Sequence, residues 1–97
     1  MLLETPYKEQ DIVSIKLSTG DEIVGKLLSE DDKQIVLSKP LALTATQQGM
    51  GLVPFMFTVD QESKFPFNKD LILIVMKTEK EMSTNYIQST TGLSLVK

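Results

Sequence analysis

The 97-residue chain contains no cysteine, no histidine and no arginine. The first absence rules out disulfides, thiolate zinc ribbons and a thiol nucleophile. The second removes the imidazole base, the Ser-His-Asp triad and the commonest transition-metal ligand. With every basic residue a lysine, the bidentate guanidinium fork is missing too. No paired-carboxylate arrangement stands out among the acidic residues, so composition argues against an enzyme and implies no cofactor. The longest apolar run, Leu71 to Met76, has six residues, far short of a membrane span. Met1-Leu2-Leu3-Glu4 has neither the basic flank nor the apolar length of a signal peptide. These readings lead us to expect a cytoplasmic protein.

What is present is ordinary for a folded domain: 41% hydrophobic and 24% charged residues, enough for one core and too short for two. Residues 1–97 therefore read as a single domain. The net charge of −3 opposes a broad phosphate-binding surface.

Period-two patterning dominates the first three quarters of the chain. Val13, Ile15 and Leu17 alternate with Ser14, Lys16 and Ser18, giving a strand over about residues 11–18. Gly20 supplies a turn, and a second strand follows over about 22–29, with Gly25 marking a bend or close approach. Glu30 to Lys33 is a polar turn. A third strand covers Gln34 to Thr46, with Pro40 requiring an edge or a bulge. The pattern then predicts a fourth strand from Leu52 to Val59, a polar loop from Asp60 to Asp70, and a fifth strand from Leu71 to Met76. That last strand, apolar throughout, reads as covered on both faces. Thr78-Glu79-Lys80-Glu81 has the form of a capping box with Thr78 as the cap, opening a helix over about 79–91 with Met82 and Tyr86 on one face. Gly92 is placed to end that helix, leaving a short apolar tail from Leu93 to Val96.

The segment Val13-x-Ile15-x-Leu17-Ser18-Thr19-Gly20-Asp21-Glu22-Ile23-Val24-Gly25-x-Leu27, with Asp31-Asp32 and Ile35-Val36-Leu37 after it, resembles the first motif of the Sm-like (LSm and Hfq) family. Leu52-Val53-Pro54-Phe55 and the helix end Tyr86-Ile87-Gln88-x-Thr90-Thr91-Gly92 look like small Sm-like proteins of tailed bacteriophages. The resemblance implies an all-β fold: a small, strongly bent, five-stranded antiparallel Sm-like (SH3-type) barrel over about residues 11–77, with a C-terminal helix. It implies a closed homo-oligomeric ring of about five to seven copies. Single-stranded, U-rich RNA is the ligand the family suggests, bound through pore loops made here by Asp31, Asp32, Lys33 and Gln34. Asp31 or Asp32 fills the family's Asp position, and Gln34 falls where an Asn binds uracil. The Arg-Gly pair of the family's second motif is absent. That absence and the acidic balance of Glu30, Asp31 and Asp32 against Lys33 keep a second expectation open: a structural or protein-interaction ring that binds phage or host proteins and no RNA. The four phenylalanines read as core, with base stacking as the competing role.

Overall fold

The computed structural model describes residues 6–95. They form an antiparallel all-β domain with a C-terminal helix: β1 (Ile12–Leu17), β2 (Glu22–Glu30), β3 (Gln34–Thr46), β4 (Gly49–Pro54), β5 (Lys64–Asn68), a 3-10 turn (Lys69–Leu71), β6 (Ile72–Lys77) and α1 (Lys80–Leu95). The reading of Met1-Leu2-Leu3-Glu4 lies outside the described residues, as does Val96 of the apolar tail.

The strands join in the order β4-β3-β2-β1-β6, and β5 pairs with β3. The sheet is not closed, and β4 and β6 are its two ends. Val13, Ile15, Leu17, Ile23, Leu27, Ile35 and Leu37 fill one face and are nearly inaccessible to solvent. A second cluster, Val24 and Leu41 with Tyr86 of α1, lies on the other face. Period-two alternation on each strand produces this division, since successive side chains point to opposite faces.

Two glycines have specific work. Gly20 takes φ +100° in the β1–β2 turn, a conformation other residues adopt only with strain. Gly25 sits where the β2 register shifts between Val24 and Lys26, and a Cβ there would come 2.9 Å from Leu37 Cδ1.

Pro40 lies inside β3, although it cannot donate to a ladder. On one side, β3 pairs with β5 through Gln34–Ser38 and with β4 through Leu41–Thr46. Neither ladder includes Lys39 or Pro40. Lys39 adopts φ +49° at this junction, and the Pro40 carbonyl accepts from the Phe55 amide at 3.0 Å. Pro40 occupies the gap between two ladders, where the missing N–H removes no ladder bond.

Several expectations need correction. There are six strands, not five. The fourth is Gly49–Pro54 rather than Leu52 to Val59, so part of the expected Gln47–Gly51 loop is strand. The expected polar loop from Asp60 to Asp70 contains β5, whose Phe65 and Phe67 are buried in the core. Burial of those two rings outweighs the polar flanks. The strand expected over Leu71 to Met76 is not covered on both faces. Leu71 in the 3-10 turn and Leu73, Ile74 and Met76 in β6 are all more than half exposed, because α1 packs over Val24 and Leu41 and leaves this end of the sheet uncovered.

Thr78 does not cap the helix. Its hydroxyl is buried and shares a 2.8 Å hydrogen bond with Ser14 Oγ. Glu79 caps instead, its carboxylate accepting from the Glu81 amide at 3.1 Å and the Met82 amide at 2.6 Å. The helix also runs past Gly92 to Leu95. No helix among the described residues is long and apolar enough to cross a membrane.

Candidate functional site

Asp31, Asp32 and Lys33 join β2 to β3, and with Gln34, the first residue of β3, they line a shallow, solvent-open hollow of about 530 Å³. Asp31 builds the turn: its Oδ1 accepts from the Lys33 amide at 2.8 Å and the Gln34 amide at 3.0 Å. Its own amide donates to the Gln34 carbonyl at 3.0 Å. The Lys33 amide bond, then that of Gln34, holds the Asp31 carboxyl below its usual pKa. Asp31 is therefore an Asx-turn residue whose Oδ1 is engaged by its own loop.

The structure brings a second segment to this loop, one that sequence reasoning missed. The Lys69 amide donates to the Lys33 carbonyl at 2.8 Å, so the 3-10 turn after β5 is tied to the tip of the β2–β3 hairpin. Asn68 stands opposite Gln34 in the β3–β5 register, so the two amide side chains share a sheet face. Asn68 Oδ1 accepts from the Asp70 amide at 2.8 Å and caps the 3-10 turn. The signal was present in Lys64-Phe65-Pro66-Phe67-Asn68, a five-residue alternation that ends at this turn.

The electrostatics of the combined loops are acidic. Their residues include Glu30, Asp31, Asp32 and Asp70 against Lys33 and Lys69. Lys69 Nζ is 2.8 Å from Glu30 Oε2, and the Tyr7 hydroxyl donates to the same oxygen at 3.2 Å. The bond to Glu30 raises the Lys69 pKa, while burial and then the Glu30 bond raise that of Tyr7. Lys69 is therefore committed to a carboxylate, which leaves little positive potential for a phosphate.

The phenylalanines divide by position. Phe65 and Phe67 are core, and Phe55 stacks tilted on Phe67 with ring centroids 5.2 Å apart. Phe57 is 73% exposed in the loop between β4 and β5. Gln61 braces that loop by donating to the Met56 and Val59 carbonyls at 2.8 and 3.1 Å. Lys64, which flanks Phe65, is exposed on β5.

The sheet edges form a different kind of surface. Among the described residues, β4 and β6 each pair on one side only. Both are six residues long; β4 carries no charge, and Lys77 is the only charged residue of β6. Exposed main-chain donors and acceptors, flanked by exposed apolar side chains, are the makings of strand addition.

No family model matches the chain, and comparison with curated proteins gives no match at a significant level.

Proposed function

We propose that this chain is an Sm-like ring protein, a cytoplasmic assembly and binding protein rather than an enzyme. Copies join head to tail, the β4 edge of one accepting the β6 edge of the next. The observation that carries the reading is the pair of open, equally long and nearly uncharged edges at opposite ends of one sheet. Unlike edges on one chain make a heterologous contact, which closes into a ring when the rotation per copy allows it. Exposure of Leu73, Ile74 and Met76 along β6 supports the same contact, because an unprotected apolar edge seeks a partner.

The strand order also supports an Sm-like barrel. Strands β4 and β5 pair end to end along one side of β3, as a single long bent strand would, and a 3-10 turn then leads into the last strand. The resemblance suggests about five to seven copies.

Single-stranded, U-rich RNA is a second element of the reading, favoured by the facing amides of Gln34 and Asn68. Amides donate to and accept from base edges, which suits recognition of unpaired bases. With four carboxylates against two lysines, binding would be weak and its salt dependence shallow.

Sedimentation equilibrium of the purified protein, with the ratio of nucleic-acid to protein absorbance, tests both elements. A single closed species of several copies supports the ring, and a monomer with its sheet intact overturns it. Saturable binding of a labelled oligouridine, weakened by ~1–2 kcal/mol in Gln34→Ala and in Asn68→Ala, supports the RNA element. No binding at low salt leaves a ring that recognises protein.

A further inference from the structure

Helix α1 is attached to only part of the sheet. Tyr86 anchors it over Val24 and Leu41, while Met82, Asn85 and Ser89 overhang β4. Between this overhang and the strands lies a groove of about 200 Å³, lined further by Leu43, Met50 and Leu52. The groove is open to solvent, and its lining mixes Leu43, Met50, Leu52 and Met82 with the polar Asn85 and Ser89. The groove lies beside β4, an open end of the sheet.

Register fixes which side chains would reach it. In an antiparallel ladder, residues directly opposite one another point to the same face. Val24 opposes Leu41, and Ser14 opposes both Val24 and Met76. Lys16 opposes Ile74, while Leu43 opposes Leu52. Met76 and Ile74 therefore lie on the same face as Leu52 and α1, at the far edge of the sheet. They are 58% and 52% exposed. An edge-to-edge contact continues each face of one sheet into the next.

We infer that the groove between α1 and β4 is the seat for Ile74 and Met76 of a second copy, so that the C-terminal helix forms one wall of the subunit contact. This rests on the edge-to-edge assembly proposed above and goes further by giving the helix a partner. The occupant follows from continuity: a strand added to β4 carries every second side chain onto the α1 side, and on β6 those side chains are apolar. Leu43, Met50, Leu52 and Met82 then meet isoleucine and methionine, with Asn85 and Ser89 as the polar part of the lining. The same contact accounts for the long exposed row on β6, because half of that row is covered by a helix and not by the sheet.

The absence of cysteine makes a clean test. Met76→Cys chains and Asn85→Cys chains are co-expressed and gently oxidised, with each variant alone as control. A two-chain disulfide in the mixture, absent from both controls, is the expected result, since only contact between copies brings the two positions together. A mixture that assembles but gives no two-chain species overturns the inference and leaves the ring intact. A mixture that sediments as monomer, like the wild type beside it, overturns the ring itself. As a second measurement, Met82→Glu should raise the dissociation constant of assembly about tenfold or more, because it sets a carboxylate beside Leu43, Met50 and Leu52 where the incoming apolar side chains would sit. Assembly as tight as wild type in Met82→Glu would also overturn the inference.

Discussion

Tyr86, in α1, donates its hydroxyl to the carbonyl oxygen of Ser38, 48 residues earlier in β3, at 2.8 Å. A second contact, 3.0 Å to the Lys39 carbonyl, falls where β3 exchanges one neighbour for another. The hydroxyl thus serves backbone oxygens at the break in the ladder while the ring packs on Val24 and Leu41. One side chain both fastens the helix and closes a gap in the sheet.

Tyr86→Phe keeps the ring and removes that bond. Stability should fall by about 1–2 kcal/mol, the range for a buried hydrogen bond whose acceptors stay behind. Thermal unfolding measures it, and an unchanged midpoint would show that water replaces the hydroxyl without cost.

Alkaline pH should act through the same residue. Burial pushes the Tyr86 pKa up to about 12, because the phenolate would lose its hydration. A pKa raised on folding contributes stability that is fully present below the unfolded value of about 10. That contribution disappears as pH rises towards 12. Denaturant midpoints over this interval should fall less steeply in Tyr86→Phe than in wild type.

At Gly25 the expected effect is steric. A methyl there meets Leu37 Cδ1 at 2.9 Å and Cβ at 3.2 Å, and Leu37 is fully buried. Gly25→Ala should cost about 1–3 kcal/mol in urea unfolding, the usual penalty for overpacking. A gain in stability would mean that β2 shifts freely at its bulge.

Glu79 and Thr78 separate capping from packing. Glu79→Ala should reduce helix content and cost about 0.5–1 kcal/mol, as loss of an N-cap does. Thr78→Val should instead cost stability by stranding Ser14 Oγ, with little change in helical circular dichroism. The reverse pattern would restore Thr78 as the cap.

The β6 edge makes the last prediction. Leu73 is 68% exposed, so Leu73→Lys should leave the melting temperature of dissociated protein nearly unchanged. In sedimentation velocity it should weaken assembly by about tenfold, as an edge lysine does when a partner strand must cover it. Equal assembly would show that β6 lies outside the contact.

Local features were legible without the fold. The bounds of β3, Gln34–Thr46, follow from alternation between two turns, and Gly20 announces a turn because only glycine takes its φ cheaply. Glu30 to Lys33 were likewise recognisable as a turn, since turn chemistry acts over three or four residues.

Most of what depended on distant partners was not. Phe65 and Phe67 read as core from composition, but the strand that carries them looks like loop until β3 offers a free side to pair with. Thr78 reads locally as the helix cap; Ser14, 64 residues away, draws its hydroxyl off, and Glu79 takes the role. Asn68 and Lys69 join Gln34 and Lys33 through a ladder and one amide bond that no local pattern encodes. An apolar run such as Leu71 to Met76 has the same period in the middle of a sheet as at its edge. Alternation and turn signals report the conformation of a few consecutive residues, whereas burial and hydrogen-bond partners are set by whichever strand the chain returns beside it.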